Sequence, residues 1–443
     1  MSSRELPANR AKSTAKAGSE HLTNPTVEEK GQRFSLSPWM RLAFLILHRL
    51  RKGALTVVLS DGQRFGFKGS LVGPTAEVHV NHQNVAKRLL LGGDLAFAES
   101  YMDGAWESPN PAVLCELCAT NWDYISSAMD SHWLVRAMRR VGHFRRRNSK
   151  TGSQRNISHH YDIGNSFYEC WLDPTMTYSS AIFEGSEEGL ETAQMRKYRR
   201  LANSLDLRPG QKVLEIGSGW GGFARLLARE YGVTVVGLTL STEQRAEAMK
   251  RIAADGLSDK IEIRLQDYRD VTESFDRIAS IEMLEAVGEA YWSTYFATLR
   301  DRLVSGGLAA VQVITINDRK FESYRTNPDF IQKYIFPGGM LPSQERLASQ
   351  YKHAGLHIVA DDGFGLDYAR TLAIWRDRFL EAWPEITEQG FDDRFRRMWD
   401  YYLCYCEGGF DEAILGCVQI VWAKPASKGL IDTRLHGRIE AVA

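Results

Sequence analysis

Residues 213–222 read Val-Leu-Glu-Ile-Gly-Ser-Gly-Trp-Gly-Gly and carry the most specific chemical signal in this chain. Glu215 stands just before a glycine turn in which Gly217, Gly219 and Gly222 have the Gly-x-Gly-x-x-Gly spacing. An apolar run, Lys212 to Ile216, precedes the turn and a helical segment, Phe223 to Tyr231, follows it. That is the strand, turn and helix order of a mononucleotide-binding half. In NAD proteins such glycines admit a pyrophosphate and the second strand ends on an acid. Here Val233 to Leu238 runs instead into Thr239-Leu240-Ser241. S-adenosylmethionine (SAM) carries no phosphate and needs close backbone approach with polar anchors for its amino-acid and ribose ends. The pattern favours SAM over NAD or FAD, with a purely structural glycine turn as the remaining alternative.

The elements that must position these residues are strands over Lys212–Ile216, Thr234–Leu238, Ile261–Leu265, Arg277–Ile281 and Gly307–Ile314, with helices between them. Such alternation predicts an α/β fold with a mostly parallel, doubly wound sheet. Ligands of such sheets sit at the carboxyl ends of the strands. Those ends carry Glu215 and Gly217, Thr239, Gln266 and Asp267, then Glu282 and Glu285. Thr239 and Gln244 flank the point where a cofactor emerges and would meet its ribose. The plainer alternative is a capping box in Ser241-Thr242-Glu243-Gln244, with Ser241 as N-cap and Gln244 reaching back. Asp267 would take an adenine amino group and Tyr268 would stack on the ring, unless Asp267 is only an exposed loop acid. Cys115-Glu116-Leu117-Cys118 looks like half a zinc site, but a structural site needs four ligands. No second Cys-x-x-Cys exists and Cys404-Tyr405-Cys406 has the wrong spacing, so these cysteines read as helix-core residues and no metal is expected.

The 443 residues suffice for two or three domains, and 55 basic against 55 acidic side chains leave no global field, so electrostatic targeting must be local. Six unevenly spaced cysteines suggest a reducing compartment, with the cytoplasm as default. The longest apolar stretch near the N-terminus, Leu42 to Leu47, is far below the ~20 residues of a membrane-spanning helix. Peripheral association stays open. Residues 1–34 hold few large apolar side chains and read as a disordered tail. A smaller α+β N-terminal domain is expected over 35–130, a basic linker helix over 131–152, the catalytic domain over 153–430 and a tail over 431–443. Pro38 to Arg51 is apolar on much of its surface and basic at its C-terminal end, which suits a core helix or a membrane-surface helix. Leu55–Leu59, Arg64–Lys68 and Ala76–Val80 read as a small β-meander with Asp61-Gly62 as a hairpin turn, and helical patterns return from Val85 to Thr120. The run from Trp133 to Lys150 includes Arg136, Arg139, Arg140, Arg145, Arg146 and Arg147. It is either a solvated linker or a dock for anionic phospholipid, each basic residue contributing ~1 kcal/mol near such a surface. No RNA module accompanies it, and no nucleic-acid partner is expected.

Several motifs together resemble the cyclopropane-fatty-acyl-phospholipid synthase family in order and spacing. They are the glycine turn with Gly-Leu-Thr-Leu-Ser at 237–241, His-Tyr-Asp-Ile-Gly-Asn at 160–165, Met-Thr-Tyr-Ser-Ser at 176–180, Tyr-Ile-Phe-Pro-Gly-Gly at 334–339 and Tyr-Ala-Arg-Thr-Leu at 368–372. Gly92 to Gly104 resembles the N-terminal domain of the bacterial enzymes, so the likeness runs from about residue 85 to 425. It implies the Rossmann-like fold of class I SAM-dependent methyltransferases and methyl transfer to the cis double bond of an unsaturated phospholipid acyl chain. The enzyme would work as a peripheral protein at the inner face of the membrane, with a homodimer left open. It also implies that Tyr178, Ser179, Glu215, Gly217, Gly219, Thr239, Leu240, Gln244, Gln266, Asp267 and Tyr268 surround SAM.

An alkene is a poor nucleophile, so the sulfonium methyl must be held in line with the π bond in a dry site. The resulting carbocation can be stabilised by aromatic faces, and a base must remove a proton to close the ring. In the family that base is taken to be a bound bicarbonate held by a Cys, a Glu, a His, a Tyr and a main-chain contact. Carried over, the Glu is Glu285, the Tyr is Tyr368 and the main-chain contact is at Ile314, while Ser180 stands for the Cys and Gln312 for the His. Ser and Gln still hydrogen-bond an oxyanion, but Gln312 cannot titrate, and the usual Glu-His pair is Glu285-Ala286. These departures bear on ring closure more than on methyl transfer. The rival outcome is a methyl-branched or methylene product without a ring. A non-catalytic lipid-binding protein is the rival of another class, and an intact glycine turn with Glu285 and Tyr368 argues against it.

Overall fold

The computed structural model describes residues 36–122, 124 and 163–426. The two expected tails, the basic run from Trp133 to Lys150 and the start of the His160 motif lie outside the described residues.

The N-terminal sheet contains β1 (Lys52–Leu59), β2 (Arg64–Lys68), β3 (Leu71–Val80) and β4 (Trp106–Glu107) in the order β2-β1-β3-β4. It is not a meander. β1 and β2 form an antiparallel hairpin, but β3 passes round the start of β1 and pairs parallel with it. Glycine permits that crossing, because a Cβ at Gly53 would lie 2.0 Å from the Pro74 carbonyl oxygen and one at Gly69 would lie 2.3 Å from that of Arg51. The expected helical stretch from Val85 to Thr120 is two helices, Asn84–Met102 and Pro111–Thr120, with β4 between them. The first is kinked at Gly93, whose φ is 67°. Helix Pro38–Leu47 is capped by Ser37, whose Oγ accepts from Met40 N at 3.2 Å. It ends before His48, Arg49 and Arg51, so the basic residues lie beyond it rather than in its last turn. Met40, Ala43 and Phe44 are buried, as a core helix requires, while Trp39, Leu42 and Leu45 are 37%, 41% and 65% exposed.

Among the described residues the main sheet has seven strands. They are β5 (Lys212–Ile216), β6 (Thr234–Thr239), β7 (Ile261–Leu265), β8 (Phe275–Ile281), β9 (Leu303–Ile316), β10 (His357–Gly363) and β11 (Leu415–Ala423), in the order β10-β11-β9-β8-β5-β6-β7. All five expected strands are present and parallel to one another. β11 and β10 are additional and antiparallel. The chain leaves β5 for β6 and β7 on one side and then crosses to β8 on the other, so strand order reverses beside β5. Open α/β sheets bind their ligands at such a switch point.

A single hydrophobic cluster runs from Met40 and Phe44 through Trp106 to Trp171, Trp375 and Trp399. The N-terminal sheet therefore shares a core with helices Gly365–Glu381 and Asp393–Asp411. Cys115 and Cys404 are buried within it. A polar clamp also joins the two parts: Asp400, whose side chain is 3% exposed, accepts from Tyr101 Oη at 2.5 Å and from Arg376 Nε at 2.6 Å. Removing one member of a buried ion pair strands the other. Asp400→Ala is expected to lower unfolding free energy by about 3 kcal/mol. Urea denaturation checks this, and a wild-type midpoint would contradict the clamp.

Candidate active site

β5 delivers Glu215 and then a turn in which Gly217, Gly219 and Gly221 have φ of 86°, 51° and 80°. A Cβ on Gly217 would meet Met283 Cγ at 2.9 Å, whereas one on Gly219 would have nothing within 4 Å. Gly217 is thus needed for packing, and Gly219 faces the open space of a cavity of about 2430 Å³. The volume exceeds the ~300–1,000 Å³ of an ordinary ligand pocket. Every residue expected to surround SAM lines this one cavity, from Tyr178 and Ser179 through Glu215 and Leu240 to Gln266 and Tyr268.

The polar anchors are buried. Burial pushes the Glu215 carboxyl up to about 8, against the pull of Lys197, and its Oε2 has no hydrogen-bond partner. Lys197 is itself pushed down to about 8 by burial and donates from Nζ to Ser179 Oγ at 2.6 Å. Thr239 Oγ1 donates to Gln244 Oε1 at 2.9 Å, and Ser241 Oγ accepts from Gln244 N at 3.2 Å. Only half of the expected capping box forms, since Ser241 N donates to Thr239 Oγ1 and the Gln244 amide is held at the cavity wall instead. Asp267 is no exposed loop acid. Its side chain is 11% exposed and accepts from Arg269 N at 2.9 Å, Nε at 2.8 Å and Nη2 at 2.6 Å. Tyr268 is held edge-on to Tyr295, with ring centroids 5.6 Å apart, and its buried hydroxyl has no partner. An unpartnered carboxylate oxygen beside a glycine that leaves room for backbone approach fits the ammonium end and sulfonium charge of SAM.

The expected catalytic residues do not all reach the cavity. Glu285, Ile314 and Tyr368 line it, but Ser180 and Gln312 are fully buried behind it. What separates them from the cavity is Glu282, which stands at the ligand edge of the sheet directly after β8. Glu282 Oε1 accepts from Ser180 N at 3.0 Å and from Gln312 Nε2 at 2.8 Å, while Oε2 accepts from Tyr368 Oη at 2.6 Å. Ser180 therefore contributes its N–H; its hydroxyl turns to the Ala181 carbonyl at 3.0 Å. The main-chain N–H of Ile314 donates to Glu285 Oε1 at 2.5 Å, and Glu285 Oε2 is unpartnered. The available signal was two acids three residues apart just beyond a strand, the first of which follows β8 directly.

Two enclosed carboxylates side by side do not both ionise readily. Burial and the neighbouring Glu282 push Glu285 up to about 8. Burial raises Glu282 too, but Tyr368, Lys197, Ser180 and Gln312 all favour its charged form. Glu282 thus holds the charge and Glu285 the proton. Around them stand aromatic rings, with Tyr178 Oη 2.8 Å from Tyr402 Oη and Tyr368 stacked on Phe410 at 4.4 Å. Beyond, the cavity continues along Phe44, Leu47, Leu55, Val57, Val78 and Val80 of the N-terminal part.

Sheet order, glycine turn and buried anchors define a SAM-dependent methyltransferase of the class I fold. Within that class the chain belongs to the mycolic acid cyclopropane synthetase family, whose model matches residues 148–420. It is 37% identical over 374 residues to a tuberculostearic acid methyltransferase of Mycobacterium tuberculosis, covering 82% of this chain and 86% of that one. It is likewise 37% identical over 362 residues to the cyclopropane-fatty-acyl-phospholipid synthase of Escherichia coli, covering 80% and 90%. A solved cyclopropane synthase from Mycobacterium tuberculosis superposes with a TM-score of 0.58 at 31% identity, over 61% of this chain and 98% of that one. A mycolic acid cyclopropane synthase complexed with SAH and CTAB gives 0.58 at 28% identity, over 61% and 98%.

Glu215 must lose its proton to face a cationic ligand, so SAM binding is expected to release a proton below pH 8. Affinity should rise between pH 6 and 8, by up to about tenfold per unit, that being 1.36 kcal/mol. Calorimetry in buffers of different ionisation enthalpy reads both effects. A Glu215→Gln variant should lose the slope, and an unchanged slope in that variant would contradict the assignment.

Proposed function

We propose that this protein transfers a methyl group to the cis double bond of an unsaturated phospholipid acyl chain and closes the product to a cyclopropane. The observation that carries this reading is one cavity of about 2430 Å³ that joins the glycine turn, the Glu282–Glu285 pair and an apolar gallery along the N-terminal sheet. The relative named as a cyclopropane-fatty-acyl-phospholipid synthase supports it. SAM, when bound, supplies an electrophilic methyl on a sulfonium. The chain's own part is to anchor the amino-acid end at Glu215, hold the cofactor over Gly219 and keep water away from the alkene. The faces of Tyr178, Phe336 and Tyr402 offer electron density to a developing cation. The pair of glutamates carries the single negative charge through which a proton can leave. A second reading, methylation without ring closure, is favoured by the equal identity to the tuberculostearic acid methyltransferase. Incubation with SAM and vesicles of cis-unsaturated phospholipid, followed by gas chromatography of the acyl chains, is expected to give a ring product. A branched product alone selects the second reading, and no methylated lipid despite SAM binding sinks both.

The protonation of the pair has its own test. Glu285→Gln keeps the shape of a neutral acid and should lower turnover by less than about tenfold. Glu285→Ala, which strands the Ile314 N–H, should cost ~10²-fold or more, the usual scale for a group acting beside a transferred proton. A loss that large in Glu285→Gln would make Glu285 itself the base.

The lipid substrate also supports a peripheral place at the cytoplasmic face of the membrane. Helix Pro38–Leu47 presents Trp39, Leu42 and Leu45 outward, and the sequence from Trp133 to Lys150 supplies clustered arginines. Among the described residues no helix is long and apolar enough to cross a membrane. Sedimentation with anionic vesicles should weaken as salt rises, since charges are screened beyond ~8 Å at physiological ionic strength. Binding indifferent to salt and to anionic lipid would contradict this mode of docking.

A further inference from the structure

The family resemblance assigns five groups to a bicarbonate, and in this chain four of them already bond to carboxylates of the chain itself. The Ser180 N–H, the Gln312 amide and the Tyr368 hydroxyl converge on the carboxylate of Glu282 at 3.0, 2.8 and 2.6 Å. The fourth expected contact, Ile314 N–H, goes to the fifth group, Glu285. Ser180 and Gln312 do not line the cavity, so a second anion has no route to them past Glu282. A carboxylate presents the same planar O–C–O face that bicarbonate would, with the same charge. The residues present do not fit a separate bicarbonate.

The surrounding structure is built to hold Glu282 there. Its φ is 50°, in the left-handed region that side chains avoid, and its own N–H donates to the Gln312 carbonyl at 2.9 Å. Such a conformation persists only where neighbours over-determine it, and it clusters at functional sites. The Gln312 amide cannot flip without loss. Its Oε1 accepts from Gln419 Nε2 at 3.0 Å, and Gln419 Oε1 accepts from Arg200 Nε at 3.1 Å, so Gln312 Nε2 is left facing Glu282. Glu282 in turn opens onto the cavity beside Met283, Glu285 and Tyr368.

We propose that the Glu282 carboxylate is the base of the reaction, built into the chain where its relatives are taken to borrow an anion from solution. The alkene π pair forms the new bond to the methyl carbon while the broken carbon–sulfur bond leaves its pair on sulfur. A C–H bond of the new methyl then gives its pair to the third ring bond, and the proton passes to a Glu282 oxygen. No oxidant or further reactant is needed, and the proton leaves to water when the product departs.

This inference rests on the proposed lipid methylation, and the two fail differently. Without methylated lipid from the wild type, that reading fails. A wild type that is active but needs bicarbonate overturns only the role of Glu282. Turnover in carbon-dioxide-free buffer is expected to be unchanged by added bicarbonate, and calorimetric titration of the wild type with bicarbonate should give no binding. Glu282→Gln fills the same space without a base and should lose turnover by ~10²-fold or more, keep its SAM affinity and gain nothing from bicarbonate. Glu282→Gly suits the positive φ and opens the anion site. It should bind bicarbonate in the titration and recover turnover when bicarbonate is added. Bicarbonate binding to the wild type, near-normal turnover of Glu282→Gln, or a Glu282→Gly variant that binds bicarbonate no better than the wild type would each overturn the proposal.

Discussion

A carboxylate enclosed by protein must be held by donors or give up its charge, because burial without partners costs more than any single contact returns. Glu282 meets this constraint, and much of the molecule is arranged around it. Its nitrogen and oxygen donors come from distant parts of the chain: the loop at Ser180, the middle of β9 at Gln312, and the helix Gly365–Glu381 at Tyr368, with Cys417 Sγ of β11 3.9 Å away as a weaker fourth partner. Each donor is backed in turn. Gln312 is oriented across the sheet by Gln419 of β11, its register partner, and Tyr368 by stacking on Phe410. The antiparallel addition of β11 to a parallel sheet is therefore part of the site.

The same charge adds to burial in setting the state of its neighbour. Burial and the adjacent Glu282 together push Glu285 up to about 8. In the same cavity burial also raises the Glu215 carboxyl, to about 8. Lys197 is the buried cation that favours the charged forms of Glu215 and Glu282 alike.

The N-terminal part completes the chamber. Because it shares one hydrophobic cluster with helices Gly365–Glu381 and Asp393–Asp411, its strands β1 and β3 form a wall of the catalytic cavity. Its inward side chains are aliphatic or aromatic, with Leu55, Val57, Val78 and Val80 on alternating strand positions, as a half-buried sheet requires. A long apolar substrate can extend along this wall while the polar end of the cavity keeps its few fixed groups for the chemistry.

Local pattern was enough for much of this. The glycine turn after an apolar strand, the alternation of strands and helices, and the acids at strand ends were readable because each depends on neighbours in sequence. Glycine conformation, strand periodicity and the ligand edge of a parallel sheet are such properties. The family resemblance supplied Glu285, Tyr368 and Ile314, but it transferred Ser180 and Gln312 as if their side chains faced the ligand. Only the tertiary structure decided otherwise. Ser180, Glu282, Gln312 and Tyr368 span almost two hundred positions, and whether a carboxylate there meets donors or water depends on how four separate parts of the chain come together. The parallel pairing of β3 with β1 and the addition of β10 and β11 were hidden for the same reason: strand partners are chosen by packing at long range. Sequence alone determined which chemical groups were available at the ligand edge, whereas the fold decided which of them share one enclosed space and hence which one carries the charge.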